Sequence, residues 1–239
     1  MNNIKFLIKK NIKIYEFLIK AREILRIIYN TKTRSRFLWT VRKGDEKISL
    51  NYPLDKNSVV FDIGAYEGNF TKKIIEKYDC TVYAFEPLPE MYEHLSKKFK
   101  DNSKIKIFPF GLLDETKKAN ISSYDAGSSL FSRVEATPKK EVELRDFNRF
   151  VSENNITNID YVYMNIEGSE YKLLNHIIET GNIYNIQNLQ VQFHNYLPNA
   201  KKERKKLRVN LKKTHICIFN FPFIWEGWKI KSQYAKDIN

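Results

Sequence analysis

The run Val59-Val60-Phe61-Asp62-Ile63-Gly64-Ala65-Tyr66-Glu67-Gly68 ends an apolar, β-rich stretch in an acid and then supplies two glycines. A strand, a glycine turn and a helix start in succession make a ready site for a nucleotide-like molecule. A second apolar run, Val82-Tyr83-Ala84-Phe85, ends in Glu86, eighteen residues past Gly68. An acid at that remove is placed to accept from ribose hydroxyls. The dinucleotide pattern G-x-G-x-x-G is not met, because Tyr66 and Asn69 stand at its second and third glycine positions. Tyr66 hinders the close backbone approach that a pyrophosphate demands. An acid two residues before the first glycine suits a cation instead. S-adenosylmethionine has a sulfonium, an α-ammonium and no phosphate, so it fits these residues. Asp62 is expected to attract its amino-acid end, directly or through water, and Glu86 to hold the ribose. The candidate cofactor contacts are Asp62, Gly64, Ala65, Tyr66, Gly68, Glu86, Pro87 and Gly111. The competing reading is an ordinary strand–turn–helix junction that binds nothing.

These residues need a scaffold, and the chain from Asn51 onward alternates strands and helices. Strands are expected at 59–63, 82–85 and 105–108, and helices at 69–78 and 89–99, the latter with Pro89 near its start. The stretch 113–146 breaks the alternation with short β-like pieces at 119–122 and 142–144. It reads as an insertion over the carboxyl edge of the sheet, a lid or substrate-side element. A helix at 146–154, a long buried strand at 159–166, a helix at 168–179 and a strand at 189–193 follow. A basic helix at 199–213 and a strand at 215–219 come next. The tail 222–230, with Trp225 and Trp228, reads as an antiparallel hairpin partner at the sheet edge. Short apolar runs separated by amphipathic helices indicate a parallel sheet covered on both faces.

The chain of 239 residues, 42% hydrophobic and 14% aromatic, suffices for one substantial α/β domain with an extension. The division expected is a basic helical extension over 1–50 and a catalytic domain over 51–239. Cys80 and Cys217 form no paired motif, so a disulfide framework is not expected and a reducing compartment is the easier home. The formal charge of +13 is local: residues 1–50 carry 13 Lys/Arg against 4 Asp/Glu, and 201–213 carry 8 against one. Residues 4–29 mix apolar and basic positions at helical spacing, with no apolar run long enough to span a bilayer and no leader-like pattern. Such a helix can lie on an anionic membrane or pack on the flank of its own domain, and the second reading is the one expected. The location expected is cytoplasmic, with the inner membrane surface as the variant that the basic helix allows.

Several further pieces resemble one family. Phe61-Asp62-Ile63-Gly64-Ala65 with Gly68, Tyr83-Ala84-Phe85-Glu86-Pro87, Gly127-Ser128-Ser129, Ile166-Glu167-Gly168-Ser169-Glu170 and Gln192-Phe193-His194-Asn195 occur in family order over about residues 57–230. Together they resemble the FkbM-type S-adenosylmethionine-dependent methyltransferases. The resemblance implies a class I methyltransferase fold, a Rossmann-like seven-stranded mostly parallel sheet with helices on both faces. It also implies methyl transfer, most often to a hydroxyl oxygen of a sugar, glycan precursor or secondary metabolite. The chain departs from the family at Tyr66, where Asn is common, and at Asn165, where an acid is common.

Transfer to an alcohol requires alignment and a group to take the proton. Candidates belong at the carboxyl ends of the later strands, beside the cofactor loop. Asn165 and Glu167 end one strand and His194 the next. His194 is the expected base, because an unperturbed imidazole is available near neutral pH, and Glu167 is expected to orient it or to hold a substrate hydroxyl. The alternatives are structural: Glu167 and Glu170 opening a helix, His194 capping a strand. A divalent ion held by Glu167, Glu170 and His194 is conceivable, though nothing in their spacing compels it. The partner expected is a small-molecule or glycan acceptor. Two other readings stay open, an RNA methyltransferase prompted by the basic patches and a non-catalytic, membrane-docking relative of the fold.

Overall fold

The computed structural model describes Glu16 and residues 19–122 and 139–235. Gly127, Ser128 and Ser129 lie outside the described residues. Seven strands form one sheet in the order β3-β2-β1-β7-β8-β10-β9. They are β1 (Val59–Ile63), β2 (Thr81–Phe85), β3 (Ile105–Phe108), β7 (Tyr161–Met164), β8 (Asn188–Val191), β9 (His215–Phe221) and β10 (Trp225–Ile230). The first five named pair in parallel, while β10 runs antiparallel to both β8 and β9. The expected seven-stranded, mostly parallel sheet is therefore present. A second sheet, β4 (Gly111–Leu113), β5 (Lys117–Ser122) and β6 (Lys139–Asp146), has the order β4-β6-β5.

Alternation along β1 explains how one strand serves two layers. Phe61 and Ile63 join the larger core with Phe85, Phe147 and Phe150, whereas Val60 joins Ile74, Ile75, Val82 and Tyr161 on the other face. Helix α4 (Asn69–Tyr78) covers that second face, burying Thr71, Ile74 and Ile75 at helical spacing. Helix α5 (Pro89–Lys98) follows β2 and buries Leu95, and helices α6 (Phe147–Glu153) and α7 (Glu170–Glu179) supply buried residues to the larger core. Asp146 caps α6, its carboxylate accepting from Arg149 N at 2.7 Å.

Two expectations change. The tail strand is not at the edge: β10 lies between β8 and β9, with Trp228 fully buried, and β9 is the edge strand. The long strand expected over 159–166 is a four-residue β7, because Asn165 to Gly168 turn out of the sheet and Glu167 and Gly168 take positive φ.

The N-terminal part divides. Residues 19–29 lie in helix α1, α2 (Thr31–Val41) follows after Asn30, which caps it, and the short α3 (Gly44–Lys47) comes next. Trp39 of α2 packs on Phe219, Phe221 and Trp225 of the sheet, with ring centroids 5.9, 5.2 and 6.4 Å away. Among the described residues no helix is long and apolar enough to cross a membrane.

Candidate active site

The loop after β1 is held against β2. Gly64 N and Ala65 N both donate to Phe85 O at 3.1 Å, and Gly68 N donates to Ala65 O at 2.8 Å. Gly64 has φ +88°, and a Cβ there would stand 2.2 Å from the backbone oxygen of Asn165. Only glycine lets the β1 loop and the end of β7 approach this closely. Glu86 closes the opposite side. Its Oε2 accepts from Tyr66 N at 2.8 Å and its Oε1 from Leu88 N at 2.9 Å. A carboxylate has about four acceptor positions, so two remain for ligand hydroxyls.

A cavity opens between these walls, lined by Gly64, Tyr66, Glu86, Pro87 and Gly111, by Asn165 and Glu167, and on the apolar side by Leu112, Leu113, Ile121 and Leu144. Those four apolar residues belong to the three-stranded sheet, so Leu113, Ile121 and Leu144 of the expected 113–146 insertion flank the cavity. Asn165 Oδ1 is buried and has no hydrogen-bond partner. A buried acceptor without a donor is costly, and a ligand ammonium or hydroxyl would satisfy it. The glycine cradle, the spare acceptors of Glu86 and the orphan Asn165 oxygen together fit a cationic ribonucleoside such as S-adenosylmethionine.

Asp62, Ala65 and Gly68 do not line this cavity. Asp62 is 1% exposed and accepts from Thr71 Oγ1 at 2.5 Å, joining β1 to α4 beneath the loop. Burial pushes its carboxyl from the ordinary 3.8 up to about 7. Burial likewise raises Glu86 from 4.5 to about 7, against the two backbone donors that pull it down. Both groups then hold more protons in the fold than in the unfolded chain between about pH 4 and 7, so their linkage removes stability as pH rises through that window. Thermal unfolding tests this. The melting temperature of the parent should fall with rising pH more steeply than that of Asp62→Asn, which cannot titrate there; equal slopes would refute it.

Behind the cavity wall lies a chain of ionisable groups. His194, 5% exposed, places Nδ1 2.8 Å from Glu170 Oε1 and Nε2 3.1 Å from Glu167 Oε2. Glu170 is fully buried and also accepts from Ile166 N at 3.0 Å and Gly168 N at 2.9 Å. Tyr171 OH donates to His194 O at 2.7 Å, and Tyr196 OH donates to Glu167 O, fixing both backbones. Burial alone would lower the imidazole, but hydrogen bonds to Glu167 and Glu170 and their charges outweigh it and raise His194 to about 9. The expected availability of a neutral imidazole near pH 7 therefore does not hold: two carboxylates keep it cationic. Only Glu167 of this trio lines the cavity. It has φ +48°, a conformation uncommon for a residue with a Cβ, and this turn carries the Glu167–His194 contact.

Of the expected catalytic residues, Asn165 and Glu167 line the cavity and His194 contacts Glu167 from behind it. Sequence reasoning missed the linking role of Glu170, whose position in the first turn of α7 reads equally as a helix-dipole partner. It also missed the apolar wall from Leu112, Leu113, Ile121 and Leu144. Among the described residues no group of three or more His, Cys, Asp or Glu is arranged to hold a metal ion. His215, buried and bonded to Ile186 O at 2.9 Å, is far from this chemistry in role; burial lowers it to about 4.

The family model described as "Methyltransferase FkbM domain" matches residues 62–216. No curated protein sequence matches the chain significantly. Among solved structures, a candidate rRNA methylase from Clostridium thermocellum superposes with TM-score 0.50 at 12% identity, over 80% of this chain and 96% of that one. The Methanococcus jannaschii fibrillarin pre-rRNA processing protein gives 0.47 at 13% identity, over 75% and 69%. TrmK of M. capricolum, in complex with S-adenosylhomocysteine, gives 0.44 at 13% identity, over 82% and 70%. Likeness at such identities bears on the fold alone.

Proposed function

The chain belongs to the FkbM methyltransferase domain family, and from that premise we propose that it moves a methyl group from S-adenosylmethionine to a hydroxyl oxygen of a sugar, glycan precursor or secondary metabolite. One observation carries the choice of an alcohol acceptor. The Glu167 carboxylate lines the cavity with a cationic His194 behind it and a buried Glu170 behind that. When bound, S-adenosylmethionine supplies an electrophilic methyl group on a sulfonium. The chain supplies the rest. Glu86 holds ribose hydroxyls, Gly64 leaves room beside the strand ends, and Asn165 Oδ1 accepts from a ligand ammonium or from the acceptor hydroxyl. Glu167 takes the hydroxyl proton as the oxygen attacks, because His194 is already protonated at neutral pH. His194 orients Glu167 and offsets its charge, and Glu170 fixes His194. The apolar wall excludes water from the reacting oxygen. The free cysteines suit a cytoplasmic location.

Methyl uptake by a panel of sugar nucleotides and lipid-linked saccharides tests the acceptor class directly. Within that assay, His194→Ala should keep cofactor affinity within a few-fold and lose turnover by about 100-fold or more, the usual scale of proton-transfer assistance. Full retained turnover would remove His194 from the mechanism. A second reading, RNA methylation, is favoured by one feature: Lys201, Lys202, Lys205, Lys206, Lys212 and Lys213 on helix α8 (Ala200–Thr214) are all exposed. RNA binding through such a surface must weaken steeply between low and moderate salt. Methylation of RNA with that salt dependence would replace the alcohol-on-glycan reading.

A further inference from the structure

Residues 19–29 carry an apolar face that the described part of the fold does not cover. Ile24, Leu25, Ile28 and Tyr29 are 57, 52, 54 and 81% exposed. At 100° per residue these four fall on a single arc, bordered by Arg22 and Arg26 on one side and Lys20 on the other. All three cations are exposed. The next helix extends the same character: α2 exposes Phe37, Leu38 and Val41 while Trp39 anchors it to the sheet. Over residues 19–43 there are eight Lys/Arg and one Glu.

We propose that residues 19–43 dock the protein on an anionic lipid surface, the apolar arc entering the headgroup boundary and the flanking cations meeting lipid phosphates. An apolar arc edged by basic residues is the pattern of helices that lie in a bilayer interface. The charge argues against a second copy of the chain as occupant, since it would set two strongly basic segments face to face. Nucleic acid would match the charge but leave Ile24, Leu25 and Ile28 in water. The element also touches the catalytic side of the molecule: Lys32 Nζ lies 3.4 Å from Asn195 Oδ1, the residue after His194. Docking would thus bring the carboxyl edge of the sheet towards acceptors carried in the membrane.

Flotation of the full chain with phosphatidylcholine vesicles, with and without phosphatidylglycerol, reads this out. Binding is expected only with phosphatidylglycerol and should weaken as salt rises. Arg22→Glu/Arg26→Glu should reduce it by at least about fivefold per cation lost, and Ile24→Asp/Ile28→Glu should abolish it. No binding to phosphatidylglycerol vesicles, equal binding to phosphatidylcholine alone, or unchanged binding by both variants would overturn the proposal. So would self-association of the parent in sedimentation velocity that Ile24→Asp/Ile28→Glu dissolves, which would make the face an interface between copies. Calorimetry with S-adenosylmethionine on the same preparations keeps the two readings apart. Vesicle binding without cofactor binding would sink the methyl-transfer reading alone, and the reverse would sink only the docking.

Discussion

Glu86→Ala should raise the dissociation constant for S-adenosylmethionine by about 100-fold or more while the protein stays folded. Each hydrogen bond to a charged acceptor contributes about 1.5–3 kcal/mol, and two ribose hydroxyls would lose theirs together. A tenfold change in affinity is about 1.4 kcal/mol, so even the lower figure for two bonds gives two decades. The substitution also strips Tyr66 N and Leu88 N of their acceptor, which loosens the loop that shapes the cavity. Stability responds less, because removing a carboxyl that burial has pushed up to about 7 also removes the cost of burying its charge. Calorimetry, with a melt of the same sample, checks both halves. A dissociation constant within tenfold of the parent would exclude Glu86 from the site.

Glu170→Ala should be the most damaging single change to the fold near the site. It leaves Ile166 N and Gly168 N without an acceptor and His194 without one of its two carboxylates, the last two contacts being buried. Removing one partner of a buried ionic pair costs about 3–5 kcal/mol, or about 10 °C in melting temperature for a chain of this size. Glu170→Gln separates shape from charge. Its one amide oxygen can still accept from Ile166 N and His194 Nδ1, but its NH2 then faces the Gly168 N–H, so only part of the stability should return. One of the two carboxylate charges that hold His194 up near 9 is gone, and the imidazole should titrate closer to its ordinary 6.5. Following the His194 ring resonances by NMR across pH measures this. An unshifted titration in Glu170→Gln would show that Glu167 alone holds the proton.

The Gly64–Glu86 wall of the cavity was legible because its parts are local. Gly64 follows β1 directly and Glu86 follows β2, and adjacent parallel strands put both at one edge. The ionisable side depends on Glu170 and His194, which are 24 positions apart and meet only because β7 and β8 are neighbours. Their types and rough location could be read, but the imidazole's charge could not, since it depends on two carboxylates converging in a buried place. β4 escaped because Pro109 and Phe110 separate it from β3, so one apolar stretch became two strands in two sheets. The central position of β10 escaped for a different reason. A hairpin has the same local pattern whether its second strand lies at an edge or is inserted inward.

That insertion sets an order on folding. β8 is complete at Val191, yet its free edge is occupied by residues 226–229, which follow β9 in the chain. A nascent chain ending anywhere before Trp225 therefore presents β8 with unpaired backbone groups beside the apolar rows that Trp228 later covers. Such an edge is an invitation to wrong pairing. Arg204 and Arg208 of α8 likewise lack Glu226, the buried acid that accepts from both, until β10 is made. Synthesis of β10 thus closes the free side of β8 and brings one buried carboxylate to two guanidinium groups in the same step, so the sheet is completed from a segment that lies after β9 in the chain.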